Sequence, residues 1–151
     1  MTSRPDAPAV NVLVVDDDED TSTLLGFLLG RQGWDTTFVT NLQEARSALE
    51  ARDVAALVTD VSLPDGSGLS LLANGRPSTL RAAVVMTGWG GDAQRRESEQ
   101  VGFDAYLVKP FDGAELVGLI SKLLASGEAK GHGDTPKLAQ NLLSNSAEDE
   151  G

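Results

Sequence analysis

Five short apolar runs recur along the chain at fairly even intervals: Val12 to Val15, Trp34 to Val39, Ala55 to Val58, Ala82 to Met86 and Ala105 to Val108. Each has the length of a strand. Three of them lack the polar and apolar alternation of a half-exposed strand, and a strand apolar on both faces belongs in a sheet covered by helices on each side. The intervening segments carry helical spacing. Leu24, Leu25, Leu28 and Leu29 form a stripe that Gly30 and Gly33 stop, residues suited to a helix C-terminus. Asn41 and Glu44 make an N-cap pair ahead of Leu42, Ala45 and Leu49. Asp112 and Glu115 open the strongest pattern, Leu116, Leu119, Ile120, Leu123 and Leu124. Fainter patterns predict helices near Ser67 to Ala73 and near Asp92 to Gln100. Strand and helix in alternation imply parallel pairing with right-handed crossovers. The expected fold is therefore α/β, an open, doubly wound five-stranded parallel sheet with five helices.

The patterned region runs from 11 to 125. Residues 1–10 hold one Arg, two Pro and no long apolar run, which predicts a flexible N-terminus and neither a signal peptide nor a membrane anchor. From Ser126 the composition shifts to Gly, Ser, Asn and acids, and a flexible acidic tail is expected over 126–151, with a weak apolar patch at Leu138, Leu142 and Leu143. At 151 residues the chain suits one core of ordinary size. Its formal charge of −11 argues against a nucleic-acid partner, because a phosphate backbone needs clustered Lys and Arg. The absence of cysteine excludes a disulfide scaffold, a thiolate metal site and a cysteine nucleophile. A cytoplasmic protein without membrane contact is expected.

In an open α/β sheet the ligand site lies beyond the carboxyl ends of the strands. The first run is followed by Asp16 and Asp17, the third by Asp60, the fourth by Thr87 and the fifth by Lys109. Each alone has an ordinary reading: the acids Asp16 to Asp20 as a solvated loop or helix start, Asp60 as a turn cap, Thr87 as a strand residue, Lys109 as a snorkelling surface lysine. Their joint placement is less ordinary. Carboxylates gathered at one point repel unless a cation shares the site, and a hard divalent ion such as Mg²⁺ prefers oxygen ligands. A metal, an ammonium and a hydroxyl can together neutralise an incoming phosphoryl group, and an Asp carboxylate can serve as its nucleophile.

Four motifs complete the pattern: Val12-Leu13-Val14-Val15-Asp16-Asp17; Val58-Thr59-Asp60 with Leu63-Pro64-Asp65-Gly66-Ser67-Gly68; Met86-Thr87-Gly88; and Tyr106-Leu107-Val108-Lys109-Pro110-Phe111. Together they resemble the receiver domains of two-component response regulators, over roughly Asn11 to Ala125. The resemblance implies a flavodoxin-like sheet of order 2-1-3-4-5. It implies Asp60 as phosphoacceptor, Mg²⁺ held by Asp16, Asp17, Asp60 and the Ser62 carbonyl, and Thr87 and Lys109 on the phosphoryl oxygens. It also implies a cis Lys109–Pro110 peptide, a switch coupling Thr87 to Tyr106, and phosphate supplied by a histidine kinase or phosphotransfer protein. A downstream protein target follows, and a homodimer is a habit of the family. The segments Thr87-Gly88-Trp89-Gly90-Gly91 and Val101-Gly102-Phe103-Asp104 look most like receivers fused to hybrid histidine kinases. Trp89 beside the site is expected to shield the acyl phosphate and slow its hydrolysis.

Two rival readings are weaker. Gly88, Gly90 and Ala93 mimic a dinucleotide fingerprint, but Lys109 ends the next strand where a ribose-binding acid belongs. A Mg²⁺-dependent phosphohydrolase with an aspartyl nucleophile would carry a second Asp two residues on, where Ser62 stands. Either a stand-alone receiver or a piece of a longer chain fits the length, since the residues after Ala125 are too few for an output domain. His132 reads as an incidental polar residue.

Overall fold

The computed structural model describes residues 10–88 and 90–129. Within them, β1 (Asn11–Val15), β2 (Asp35–Val39), β3 (Val54–Asp60), β6 (Ala82–Thr87) and β7 (Ala105–Val108) form one parallel sheet in the order β2-β1-β3-β6-β7. Counting these strands alone, the order is the 2-1-3-4-5 that the resemblance implied. The remaining strands, β4 (Ser62–Leu63) and β5 (Gly66–Ser67), make a small antiparallel hairpin directly after β3. No helix among the described residues is long and apolar enough to cross a membrane.

The side chains of the inner strands alternate between two apolar clusters, which is why their runs read as continuously hydrophobic. Leu13, Val15, Leu57, Ala83, Val85 and Tyr106 point to one side, where they meet Leu42 and Ala45 of α2 (Leu42–Ala51) and Phe103 beyond α3 (Asp92–Val101). Val12, Val14, Val58, Val84, Met86 and Leu107 point to the other, against Leu25 and Leu29 of α1 (Glu19–Gly30) and Leu116, Ile120 and Leu123 of α4 (Gly113–Ala129). Of the five strands of this sheet, only the edge strand β2 leaves its side chains largely half-buried or exposed.

The five expected helices become four α-helices and one 3₁₀ helix among the described residues. The segment expected to be helical after β3 is 3₁₀ over Gly68–Leu72, with Ser67 as its N-cap and Ala73 as its C-cap. The reason lies in its ends. Gly68 is pressed against the backbone of Asp60, Gly75 takes a φ of +114°, and Pro77 follows, so there is room for barely more than one turn. Leu69, Leu71 and Leu72 are all buried there. α4 runs to Ala129, past the composition shift at Ser126. Residues 1–9 and 130–151, with His132 and the patch of Leu138, Leu142 and Leu143, lie outside the described residues, as does Trp89.

Candidate functional site

The acidic run after β1 divides by position. Asp16 is buried, with its side chain fully covered, whereas Asp17 is exposed. Asp18 becomes the N-cap of α1, accepting the Asp20 N–H at 3.1 Å and the Thr21 hydroxyl at 2.9 Å, and Glu19 and Asp20 sit in the first turn, where the helix dipole favours negative charge. Asp60 ends β3, beside β1 through the pairing of Val15 with Thr59. That pairing brings three carboxylates together: one oxygen each from Asp16, Asp17 and Asp60 lies within 4.8 Å of the others.

Lys109 closes the group from the far side of the chain. It follows β7, its N–H donates to the Thr87 carbonyl at 2.7 Å, and the Lys109–Pro110 peptide is cis. Its ammonium donates to Asp16 Oδ2 at 2.9 Å and to Asp60 Oδ2 at 3.0 Å. With its side chain 23% exposed, this is no snorkelling lysine but a cation held between two acids. Burial pushes its pKa down, yet the hydrogen bonds and negative charges of Asp16 and Asp60 together outweigh burial and leave it raised. Burial is also the largest influence on Asp16 and raises its carboxyl above the ordinary range. The Asp18 N–H and Lys109 pull it back only in part, and the charge of Asp60 adds to the rise.

The loop after Asp60 is built around that carboxylate. The Ser62 N–H donates to Asp60 Oδ1 at 3.2 Å. The Gly68 N–H donates to the Val61 carbonyl at 2.7 Å, and a Cβ on Gly68 would collide with the Asp60 carbonyl oxygen and stand 2.6 Å from Thr59 Oγ1. Only glycine fits there. Gly68 was quoted in the sequence motif without a role. The motif gave no sign of this contact, because nothing in the letters says which backbone a glycine must approach.

Thr87 is buried at the end of β6, one position beyond Met86, the partner of Asp60 across the sheet. Tyr106 pairs with Val85, so Tyr106 and Thr87 share one face of the sheet. The tyrosine is buried, its hydroxyl donating to Gln94 Oε1 of α3 at 2.8 Å and accepting the Gly91 N–H at 3.4 Å. Gly90 lets the loop pass close over β7, since a Cβ there would come within 2.7 Å of Val108 Cγ2. The structure thus gathers Asp16, Asp17, Asp60 and Lys109 at one point, and sets Ser62 and Thr87 on adjoining strand ends and Tyr106 further along the β6 and β7 face.

The family model for the response regulator receiver domain matches residues 12–121. An uncharacterized 14.6 kDa protein of Leptolyngbya boryana is 37% identical over 117 residues, which cover 75% of this chain and 88% of that protein. Protein PetR of Rhodobacter capsulatus is 34% identical over 114 residues, 76% of this chain but 48% of PetR, so the chain spans about half the length of that relative. Among solved structures, a response regulator protein from Burkholderia pseudomallei, with a phosphorylated aspartic acid, calcium ion and citrate, aligns at a TM-score of 0.68 and 27% identity, covering 80% of this chain and 71% of its own.

Proposed function

This chain belongs to the response regulator receiver domain family, and from that premise we propose that it takes a phosphoryl group onto Asp60 from the histidine of a kinase or phosphotransfer protein and signals by altering a protein-binding surface. The observation that carries the reading is the Lys109 ammonium held between Asp16 and Asp60, beside a third carboxylate, at the carboxyl edge of the sheet. The donor set is all oxygen, which fits a hard divalent cation. Asp16, Asp17 and Asp60 would hold Mg²⁺ together with the Ser62 carbonyl. Bound there, Mg²⁺ supplies positive charge against the oxygens of the transferring group.

The remaining chemistry belongs to the chain. A carboxylate oxygen of Asp60 attacks the phosphorus of a phosphohistidine. The phosphorus–nitrogen bond breaks, its electron pair stays on the imidazole, and an acyl phosphate forms. Lys109, no longer required by the carboxylate, pairs with a phosphoryl oxygen, and the Thr87 hydroxyl donates to another. Drawing Thr87 towards the phosphoryl group changes the packing of the β6 and β7 face on which Tyr106 lies. The added charge thereby favours one of two conformers, and a downstream protein or a second copy of the chain reads the difference. The cytoplasm, where such kinases present their phosphohistidine, is the compartment this reading implies.

Intact-mass measurement after incubation with acetyl phosphate and Mg²⁺ tests the proposal. The native chain is expected to gain a single phosphoryl group and Asp60→Asn none. An equal gain in the variant would overturn Asp60 as acceptor, and continuous turnover of a phosphate ester would point to a phosphohydrolase instead.

A further inference from the structure

The loop that follows the nucleophile is tied at its tip to a helix outside the site. Asp65 sits in the turn between β4 and β5, and both of its carboxylate oxygens accept N–H groups from the start of α2. Leu42 N–H donates to Oδ1 at 2.8 Å and Gln43 N–H to Oδ2 at 3.2 Å. Such groups have no partner within their own helix. α2 already has its own cap, since Asn41 Oδ1 accepts the Glu44 N–H at 2.8 Å and Glu44 Oε1 accepts the Thr40 N–H at 3.1 Å. The Asp65 bonds therefore join two distant segments rather than merely ending a helix.

Packing reinforces the tie. Gly66 has a φ of +143°, and a Cβ on it would come within 2.9 Å of Leu42 Cδ1. Leu42 and Leu63 are buried in the same apolar cluster. At its other end the hairpin is bonded to the nucleophile: Ser62 pairs with Ser67 and donates its N–H to Asp60 Oδ1, while Gly68 closes on Val61. The hairpin is thus held at the site by Asp60 and at its tip by α2.

We propose that Asp65 is a positioning residue, which anchors the hairpin tip to the N-terminus of α2 and so fixes the Ser62 backbone and the Asp60 carboxylate for the cation. The inference rests on the reading of the site given above. Outer residues that orient metal ligands govern affinity without touching the ion.

The test uses the full chain, with Mg²⁺ affinity measured by calorimetric titration with MgCl₂ and with the rate of phosphorylation by acetyl phosphate followed as Mg²⁺ is raised. Asp65→Ala is expected to weaken Mg²⁺ binding by about tenfold, with the rate recovering at saturating Mg²⁺. Asn41→Ala removes the helix's own cap but leaves the hairpin tied, and is expected to keep the native Mg²⁺ affinity. Asp65→Asn, with one acceptor oxygen left, is expected to fall between and guards against a variant that does not fold. Native affinity in Asp65→Ala, or an equal loss in Asn41→Ala, would overturn the inference and leave Asp65 as a helix cap. A native chain that neither binds Mg²⁺ nor gains a phosphoryl group would instead remove the reading on which the inference rests.

Discussion

Asp16 is buried among strand ends with a like charge beside it, and this arrangement sets stability against the proposed function. Its carboxyl is raised first by burial, so folding favours the protonated form and the ionised form is destabilising. That penalty is absent at pH well below the aspartate range, appears as pH rises through it and persists at neutrality. Lys109 runs the other way. Burial lowers its pKa but the two acids raise it further, so its contribution is complete below the ordinary lysine value and is lost as pH rises through the higher folded one. The attraction of Lys109 is already included in the balance at Asp16, which still ends raised. Asp16→Asn is therefore expected to melt above the native chain at pH 7 in the presence of a chelator, with the advantage shrinking as pH falls through the aspartate range, and to lose Mg²⁺ binding. A melting temperature equal to or below the native one at pH 7 would contradict this. At this scale the letters identified Asp16, Asp17, Asp60, Thr87 and Lys109 because each follows an apolar run. They could not tell that the acidic run splits into Asp16 buried, Asp17 exposed and Asp18 capping α1, since that depends on the pitch at which α1 leaves β1.

At the scale of elements, legibility followed the length of the periodic signal. The three clear stripes and one of the two fainter patterns, near Asp92 to Gln100, became α-helices and the five apolar runs became the sheet, because burial on one face or two repeats over enough residues to be read. The third helix failed as an α-helix because its length is set by close contacts at Gly68 and by Gly75 and Pro77, which periodicity does not register. The β4 and β5 hairpin is too short for any pattern. The Arg76 to Asp104 pair was also invisible: Arg76 Nη2 meets Asp104 Oδ2 at 2.7 Å, and that oxygen also accepts the buried Ala83 N–H at 2.9 Å, so the stretch entering β6 is joined to the residue just before β7. α4 carries a weakness of its own. Gly118 lies exposed in mid-helix, where glycine is a poor helix former, and a Cβ there would meet nothing within 4 Å. Gly118→Ala is expected to stabilise the chain by about 0.5–1 kcal/mol, read as a higher denaturant midpoint with an unchanged slope. A lower midpoint would mean that α4 needs the glycine for a reason other than its own backbone.

For the whole molecule, the parallel sheet explains why a single small site can govern stability. β1, β3 and β6 end at the same edge with β7, so the acids at that edge repel one another across the centre of the sheet rather than on a detachable loop. A cation binding there acts on the native state alone, because the unfolded chain has no such cluster. At a Mg²⁺ concentration a hundredfold above its dissociation constant the native state gains about 2.7 kcal/mol, which for a chain of this size is a rise of roughly 10 °C in melting temperature. The difficulty is that a net charge of −11 is itself destabilising, and any salt screens it. The comparison must therefore be made at constant ionic strength, with NaCl replacing MgCl₂. Screening responds to ionic strength and would raise the native chain and Asp60→Asn alike, whereas site binding responds to the divalent ion and needs the full set of carboxylates. The expected result is a rise with MgCl₂ over NaCl in the native chain that largely disappears in Asp60→Asn and Asp16→Asn. A rise of the same size in all three would assign the effect to the charged surface and remove the cation from the edge of the sheet.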